Sequence, residues 1–180
     1  GVRGSDKRRS RLRDRVLGRA EYLGRLGTIF PNLTNRILKL SCLRGGLERA
    51  LAISRSAPLP AYTARLKGTK TSYPANSKQV VYFPGCFVTY NDSLTGRAVV
   101  KVLEHQGYKV IIPALGCCGV PLQANGRFKE ARENARKNLT LLNPFLQSGI
   151  PVLASCTSCS LALKEEYPKI PAPGGEPIGR

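Results

Sequence analysis

Five of the six cysteines in this 180-residue chain form one ordered series: Cys86, then the adjacent Cys117 and Cys118 followed by Gly119, then Cys156 and Cys159 in a CxxC. Thirty residues lie between Cys86 and Cys117, and thirty-seven between Cys118 and Cys156. Each gap is long enough for one helix and one strand of an α/β unit. Five thiols converging in a reducing compartment hold metal more readily than they form disulfides, because soft thiolates select zinc, copper(I) or iron-sulfur clusters. The spacing therefore constrains the fold to one in which three distant loops meet.

The rest of the chain sets bounds. A 42% hydrophobic content supports one core. No run of eighteen apolar residues is present and the N-terminus lacks an apolar signal segment, which points to a cytoplasmic protein with no membrane span. Basicity is concentrated upstream: residues 1–79 hold 18 Lys/Arg against 4 Asp/Glu, and residues 80–180 hold 11 against 7. Methionine is absent, even from position 1, which suggests a piece of a longer protein.

Residues 1–15, mostly Arg, Lys, Asp, Gly and Ser, read as a disordered basic arm, since they cannot bury enough apolar surface to offset their ordering entropy. Residues 16–56 read as a basic amphipathic helical segment. Val16, Ala20, Leu23 and Leu26 recur at helical spacing up to Gly27 and Pro31. Leu33, Ile37, Leu40 and Leu43 form a second face, stopped at Gly45-Gly46, and Leu47 to Ile53 form a third stretch. Residues 57–78 read as a linker, and 169–180 as a disordered Pro- and Gly-rich tail.

Between them, residues 79–168 read as a cysteine-rich α/β domain. Strands are expected over Val80–Phe83, Lys109–Ile112 and Ile150–Ala154. Helices are expected after Asn91-Asp92-Ser93 as far as Gly107, from Phe128 to the break at Asn143-Pro144, and briefly after Cys159, stopping before Pro168. Strand, helix, strand, helix, strand implies a small parallel sheet with flanking helices and right-handed crossovers. Parallel strands place their C-terminal ends on one edge, where such sheets carry ligands. Each cysteine group follows a different strand, so the three groups become neighbours.

Three chemistries fit such a group: an iron-sulfur cluster, a structural zinc, or a redox disulfide. A CxxC opening a helix supplies two cluster thiolates, and Gly85, Gly116 and Gly119 let the backbone turn close to inorganic sulfur. A tetrahedral zinc would leave one of the five thiols idle, and adjacent Cys117 and Cys118 face one small ion only with difficulty. Cys42 reads as a buried small hydrophobe, and His105 as a helix C-terminal residue in favourable contact with the dipole. Glu104, Glu165 and Glu166 read as solvated helix charges. One histidine assembles no Ser-His-Asp set, and Pro84-Gly85-Cys86 stands where a dinucleotide fingerprint would follow the first strand. Flavin and nicotinamide are therefore expected on another chain. The basic segment suits an anionic membrane surface or a collar packed on protein. Nonspecific nucleic-acid contact through Lys7-Arg8-Arg9 has no accompanying aromatic platform, so no specific nucleic acid is expected.

The series YFPGC, Cys-Cys-Gly and CxxC resembles the cysteine-rich CCG domain of the B component of heterodisulfide reductase and of iron-sulfur subunits of glycolate, lactate and glycerol-3-phosphate oxidation systems. The resemblance implies a 4Fe-4S cluster of non-cubane type with Cys86, Cys117, Cys118, Cys156 and Cys159 as its ligands. Upstream, RDRVLGRAEYLGRLGTIFPNLTNRILK and ISRSAPLPAY resemble the connector in the C components of anaerobic glycerol-3-phosphate dehydrogenases. This implies an electron-transfer subunit, itself without a catalytic residue, between a flavin-containing dehydrogenase partner and a quinone, peripheral on the inner face of the cell membrane. No C-x2-C-x2-C-x3-C-P run and no second repeat after Pro168 are present, which implies a partial chain. Two alternatives stand beside it: a heterodisulfide-reductase-like catalytic subunit, and a zinc-stabilised assembly module.

Overall fold

The structure, a computed structural model, describes residues 4–68, 73 and 77–170, with side chains from residue 11 onward. Four helices come first: α1 (Gly4–Leu17), α2 (Ala20–Gly27), α3 (Pro31–Ile37) and α4 (Ser41–Leu51). The domain follows as β1 (Lys78–Phe83), α5 (Gly85–Tyr90), α6 (Ser93–His105), β2 (Tyr108–Ile111), α7 (Val120–Ala124), α8 (Phe128–Gln147), β3 (Val152–Ala154) and α9 (Thr157–Leu161). A π-helical turn, Ala162–Glu166, and a 3₁₀ turn, Tyr167–Lys169, close it.

The three strands form one parallel sheet in the order β2-β1-β3. Val80 stands opposite Val110, and Phe83 opposite Ala154. The α/β reading with a small parallel sheet is what the structure has. Val80, Val81, Tyr82 and Phe83 are all buried, because a central parallel strand is covered on both faces and reads as a continuous apolar run. Alternation then assigns the faces. Val80 and Tyr82 join Leu66, Val88, Val100 and Val110 in one core cluster. Phe83 joins Cys117, Cys118, Ala135, Leu139, Cys159 and Ala162 in the other, so the thiols lie on the Phe83 side.

Several local expectations are corrected. The arm is helical from Gly4, and α1 packs against α4, since backbone hydrogen bonding and one helical neighbour do not require a broad apolar face. Helix α4 continues through Gly45-Gly46, where a Cβ would meet nothing; glycine in an exposed helix costs about 1 kcal/mol and does not break it. Cys42 is exposed, not a buried hydrophobe, because no described residue covers its side of α4. Helix α8 runs past Pro144, which falls in its final turn; the proline removes one N–H to C=O bond there without ending the helix. The last turn likewise includes Pro168. Asp92 does start α6 as expected, with Oδ1 accepting the Thr95 N–H at 3.3 Å, and His105 ends it. The expected loose tail lies outside the described residues from 171 onward.

Residues 62–66 of the stretch read as a linker are tied down. Thr63 N–H donates to Tyr90 O at 2.8 Å and Leu66 N–H to Thr89 O at 3.0 Å, and the Leu66 side chain enters the core. Asn35 of α3 grips Tyr62 by both backbone groups, each at 2.8 Å. Gly24 of α2 lies flat against the Tyr90 ring of α5. By contrast, Leu26, Ile29, Phe30, Leu33, Ile37 and Leu40 are exposed, Phe30 at 67%.

Candidate metal centre

The ends of the three strands deliver the five thiols. β1 stops at Phe83, and α5 carries Cys86 at its second position. β2 leads through Pro113 to the Gly116–Cys118 loop, and β3 leads directly to Cys156, just ahead of α9 and Cys159. The Cys117 and Cys86 sulfurs are 3.6 Å apart, and those of Cys159 and Cys118 are 3.4 Å apart. Cys117, Cys118 and Cys159 are buried, while Cys86 and Cys156 are half-buried and packed against the same cluster. All five residues singled out from the sequence are thus brought to one rim, and Cys42 is left out.

Among the described residues no three His, Cys, Asp or Glu side chains are disposed to hold one metal ion. A donor set of five thiols spread along a rim suits a multi-iron cluster better than one tetrahedral zinc. The backbone fits the same use. Gly85 has φ +72°, and a Cβ there would stand 2.7 Å from Cys159 Sγ. Only glycine gives both that conformation and that clearance. Gly119, at φ +99°, turns the chain from Cys118 into α7.

Electrostatics within the group are uneven. Cys118 is drawn well below the usual thiol range by hydrogen bonds from the thiols of Cys117 and then Cys159. Cys86 is lowered as well, first by its bond from Cys117. Cys117 and Cys159 are pushed up, each chiefly because its proton is held by Cys118. Burial of the whole group opposes charge, which makes a cationic centre the natural complement to several thiolates here.

A polar shell unforeseen from the sequence braces the loop. Asn138 of α8 is 1% exposed. Its Oδ1 accepts the Gly116 N–H at 2.8 Å, and its Nδ2 donates to Cys117 O at 3.1 Å and to the Tyr167 hydroxyl at 2.9 Å. Tyr167 in turn donates to Cys118 O at 3.2 Å, and burial holds its hydroxyl above the usual phenol range. The available signal was Asn138 itself, a polar residue on the helical face of Ala131, Ala135 and Leu142. Glu21 of α2 accepts the Cys117 N–H at 2.7 Å, a contact between residues 96 apart that no local pattern announces. Beside Cys86 and Cys117 opens a cavity of about 240 Å³ bordered also by Arg65, Lys67 and Tyr90.

Comparison with known proteins agrees with this geometry. Residues 80–164 match the family model described as CCG, cysteine-rich domain. The chain is 36% identical over 172 residues to the C component of the anaerobic glycerol-3-phosphate dehydrogenase of Escherichia coli, an alignment that covers 92% of this chain and 43% of that protein. It is 33% identical over 105 residues to an uncharacterized iron-sulfur protein of Methanocaldococcus jannaschii, covering 57% of this chain and 21% of that one. It is 34% identical over 98 residues to the D component of the dihydromethanophenazine:CoB-CoM heterodisulfide reductase of Methanosarcina barkeri, covering 51% and 23%. The chain thus spans less than half the length of these relatives. No solved structure matches it.

Proposed function

We propose, from the match of residues 80–164 to the CCG cysteine-rich domain model, that this chain serves as an iron-sulfur electron-transfer subunit, or part of one, in an anaerobic glycerol-3-phosphate dehydrogenase. The observation that carries this reading is the meeting of five thiols at the C-terminal rim of β1, β2 and β3. Cys86, Cys117, Cys118, Cys156 and Cys159 would hold the cluster. When bound, it would supply single-electron acceptance and release. The protein's own part is to hold the thiolates, exclude water from Cys117, Cys118 and Cys159, and satisfy the loop backbone through Asn138 and Tyr167. Substrate oxidation belongs on this reading to a flavin-containing partner, with quinone as the onward acceptor.

Among the described residues no helix is long and apolar enough to cross a membrane. The exposed Ile29, Phe30, Leu33 and Ile37, set among Arg25, Arg36 and Lys39, support peripheral attachment to the inner face of the cell membrane or to a partner subunit.

Anaerobic purification with iron, sulfide and zinc analysis and paramagnetic resonance tests the proposal. About four iron and four sulfide per chain with a redox-active signal are expected for a 4Fe-4S centre. A colourless protein holding one tight zinc would instead support an assembly module. A second reading, a heterodisulfide-reductase-like catalyst, is favoured by the cavity that opens directly on Cys86 and Cys117. Disulfide reduction by the reconstituted chain alone would select it, whereas strict dependence on a flavoprotein and a quinone selects the first.

A further inference from the structure

The Gly116–Cys118 loop has its backbone satisfied almost entirely from within the domain. Asn138 serves Gly116 and the Cys117 carbonyl, and Tyr167 serves the Cys118 carbonyl. The Cys117 N–H is the exception, because its acceptor comes from the upstream helix α2. Glu21 Oε2 takes that proton at 2.7 Å, while Oε1 takes one from Arg25 Nη2 at 2.6 Å. The carboxylate is 18% exposed, against 57% for its arginine partner. Glu21 and Cys117 both line the cavity on the Cys86 side and a second one of about 350 Å³ on the α8 side. Gly116 lets the carboxylate come close, since a Cβ there would stand 3.2 Å from Oε2.

This arrangement is electrostatically odd. A carboxylate beside a group of thiolates repels them, and an upstream helix needed only for attachment has no reason to bring one there. An acceptor that is also an anion does two things at once. It fixes the amide of Cys117 by a charge-assisted hydrogen bond, and it keeps a negative charge against a centre that gains electrons. The packing of Gly24 on Tyr90 sets α2 at the distance this requires.

We propose that Glu21 is a positioning residue of the cysteine site, clamping Cys117 through its amide and holding the reduction potential of the centre down. The upstream helix is then a wall of the site and not a detached collar. The inference rests on the iron-sulfur reading for its second half only, because the clamp is a property of the protein with or without metal.

Two variants of the full chain test it. Glu21→Gln keeps an oxygen acceptor and removes the charge; Glu21→Ala removes both. In the metal-free chain, exchange of the Cys117 amide followed by nuclear magnetic resonance should quicken about tenfold in Glu21→Ala, and much less in Glu21→Gln. In the reconstituted chain, Glu21→Gln should keep its iron and sulfide and show a midpoint potential shifted positive, a change that loss of packing alone would not produce in an intact centre. Unaltered amide exchange in Glu21→Ala overturns the clamp. An unmoved potential in a fully loaded Glu21→Gln overturns the tuning. Should the wild-type chain bind no iron, the iron-sulfur reading fails while the exchange measurement still decides the clamp.

Discussion

Helices α8 and α3 carry the same kind of amphipathic pattern and meet opposite fates. Ala131, Ala135, Leu139 and Leu142 of α8 are buried, and the one polar residue among them, Asn138, is saturated with hydrogen bonds. No residue of α3 is buried, and Leu33 and Ile37 face outward next to Phe30. An apolar stripe is only an offer of surface; whether it is covered depends on what stands opposite. The domain supplies its own cover, with β1 sandwiched between two clusters. The upstream helices are joined to it at a few points, Glu21 to Cys117, Gly24 to Tyr90 and Asn35 to Tyr62, and leave the remaining apolar surface open. That open face, set among Arg25, Arg36 and Lys39, is the surface on which the proposed attachment rests.

The contrast can be broken at the cysteines first. Cys118→Ser should remove most of the iron and sulfide, at least about tenfold, because a hydroxyl is a poor soft-metal ligand. Cys42→Ser on the exposed side of α4 should leave both at the wild-type level; equal loss from the two would erase the distinction between the regions. Next in size, Asn138→Ala should cost about 2–4 kcal/mol in urea unfolding of the metal-free chain, since it strands the Gly116 N–H and two loop carbonyls away from water. A cost below about 1 kcal/mol would mean that the loop finds water instead.

Gly85→Ala should destabilise by about 1–3 kcal/mol, from the left-handed backbone and the encounter with Cys159 Sγ, and should lower cluster occupancy with it. Wild-type iron content in that variant would show that the Cys159 sulfur moves freely. Smallest in stability is the double change Phe30→Ser with Leu33→Ser. Unfolding should shift by no more than about 0.5 kcal/mol, because both side chains are exposed. Sedimentation with anionic vesicles should nevertheless fall several-fold. Retained vesicle binding would assign that face to a protein partner.

The strands were legible because a buried parallel strand leaves little choice of residue: Val80, Val81, Tyr82 and Phe83 are apolar without interruption. The gathering of the five cysteines was legible for a related reason, as each group follows a strand end and parallel strands end together. Helix α5 was not. Its Gly85–Tyr90 stretch is short and rich in β-branched and aromatic residues, so local preference argues against it. It is held by the Thr63 and Leu66 N–H groups, which donate to Tyr90 O and Thr89 O, and by the Thr89 hydroxyl donating to Gly85 O at 2.6 Å. Cys42 departs from its expected burial because burial is a relation between surfaces, and its own residue type speaks for only one of them.

What the linear order of residues determined was periodicity and succession: which segments are apolar every second or every third to fourth position, and that a thiol follows each strand. Those features are local or additive along the chain, so no coordinates were needed to see them. Only the tertiary structure decided that Glu21 would meet Cys117, that Asn138 would brace Gly116, and that α3 would stay uncovered while α8 did not. Such contacts depend on the angles at which packed elements meet, where a difference of a few ångströms separates a hydrogen bond from open solvent.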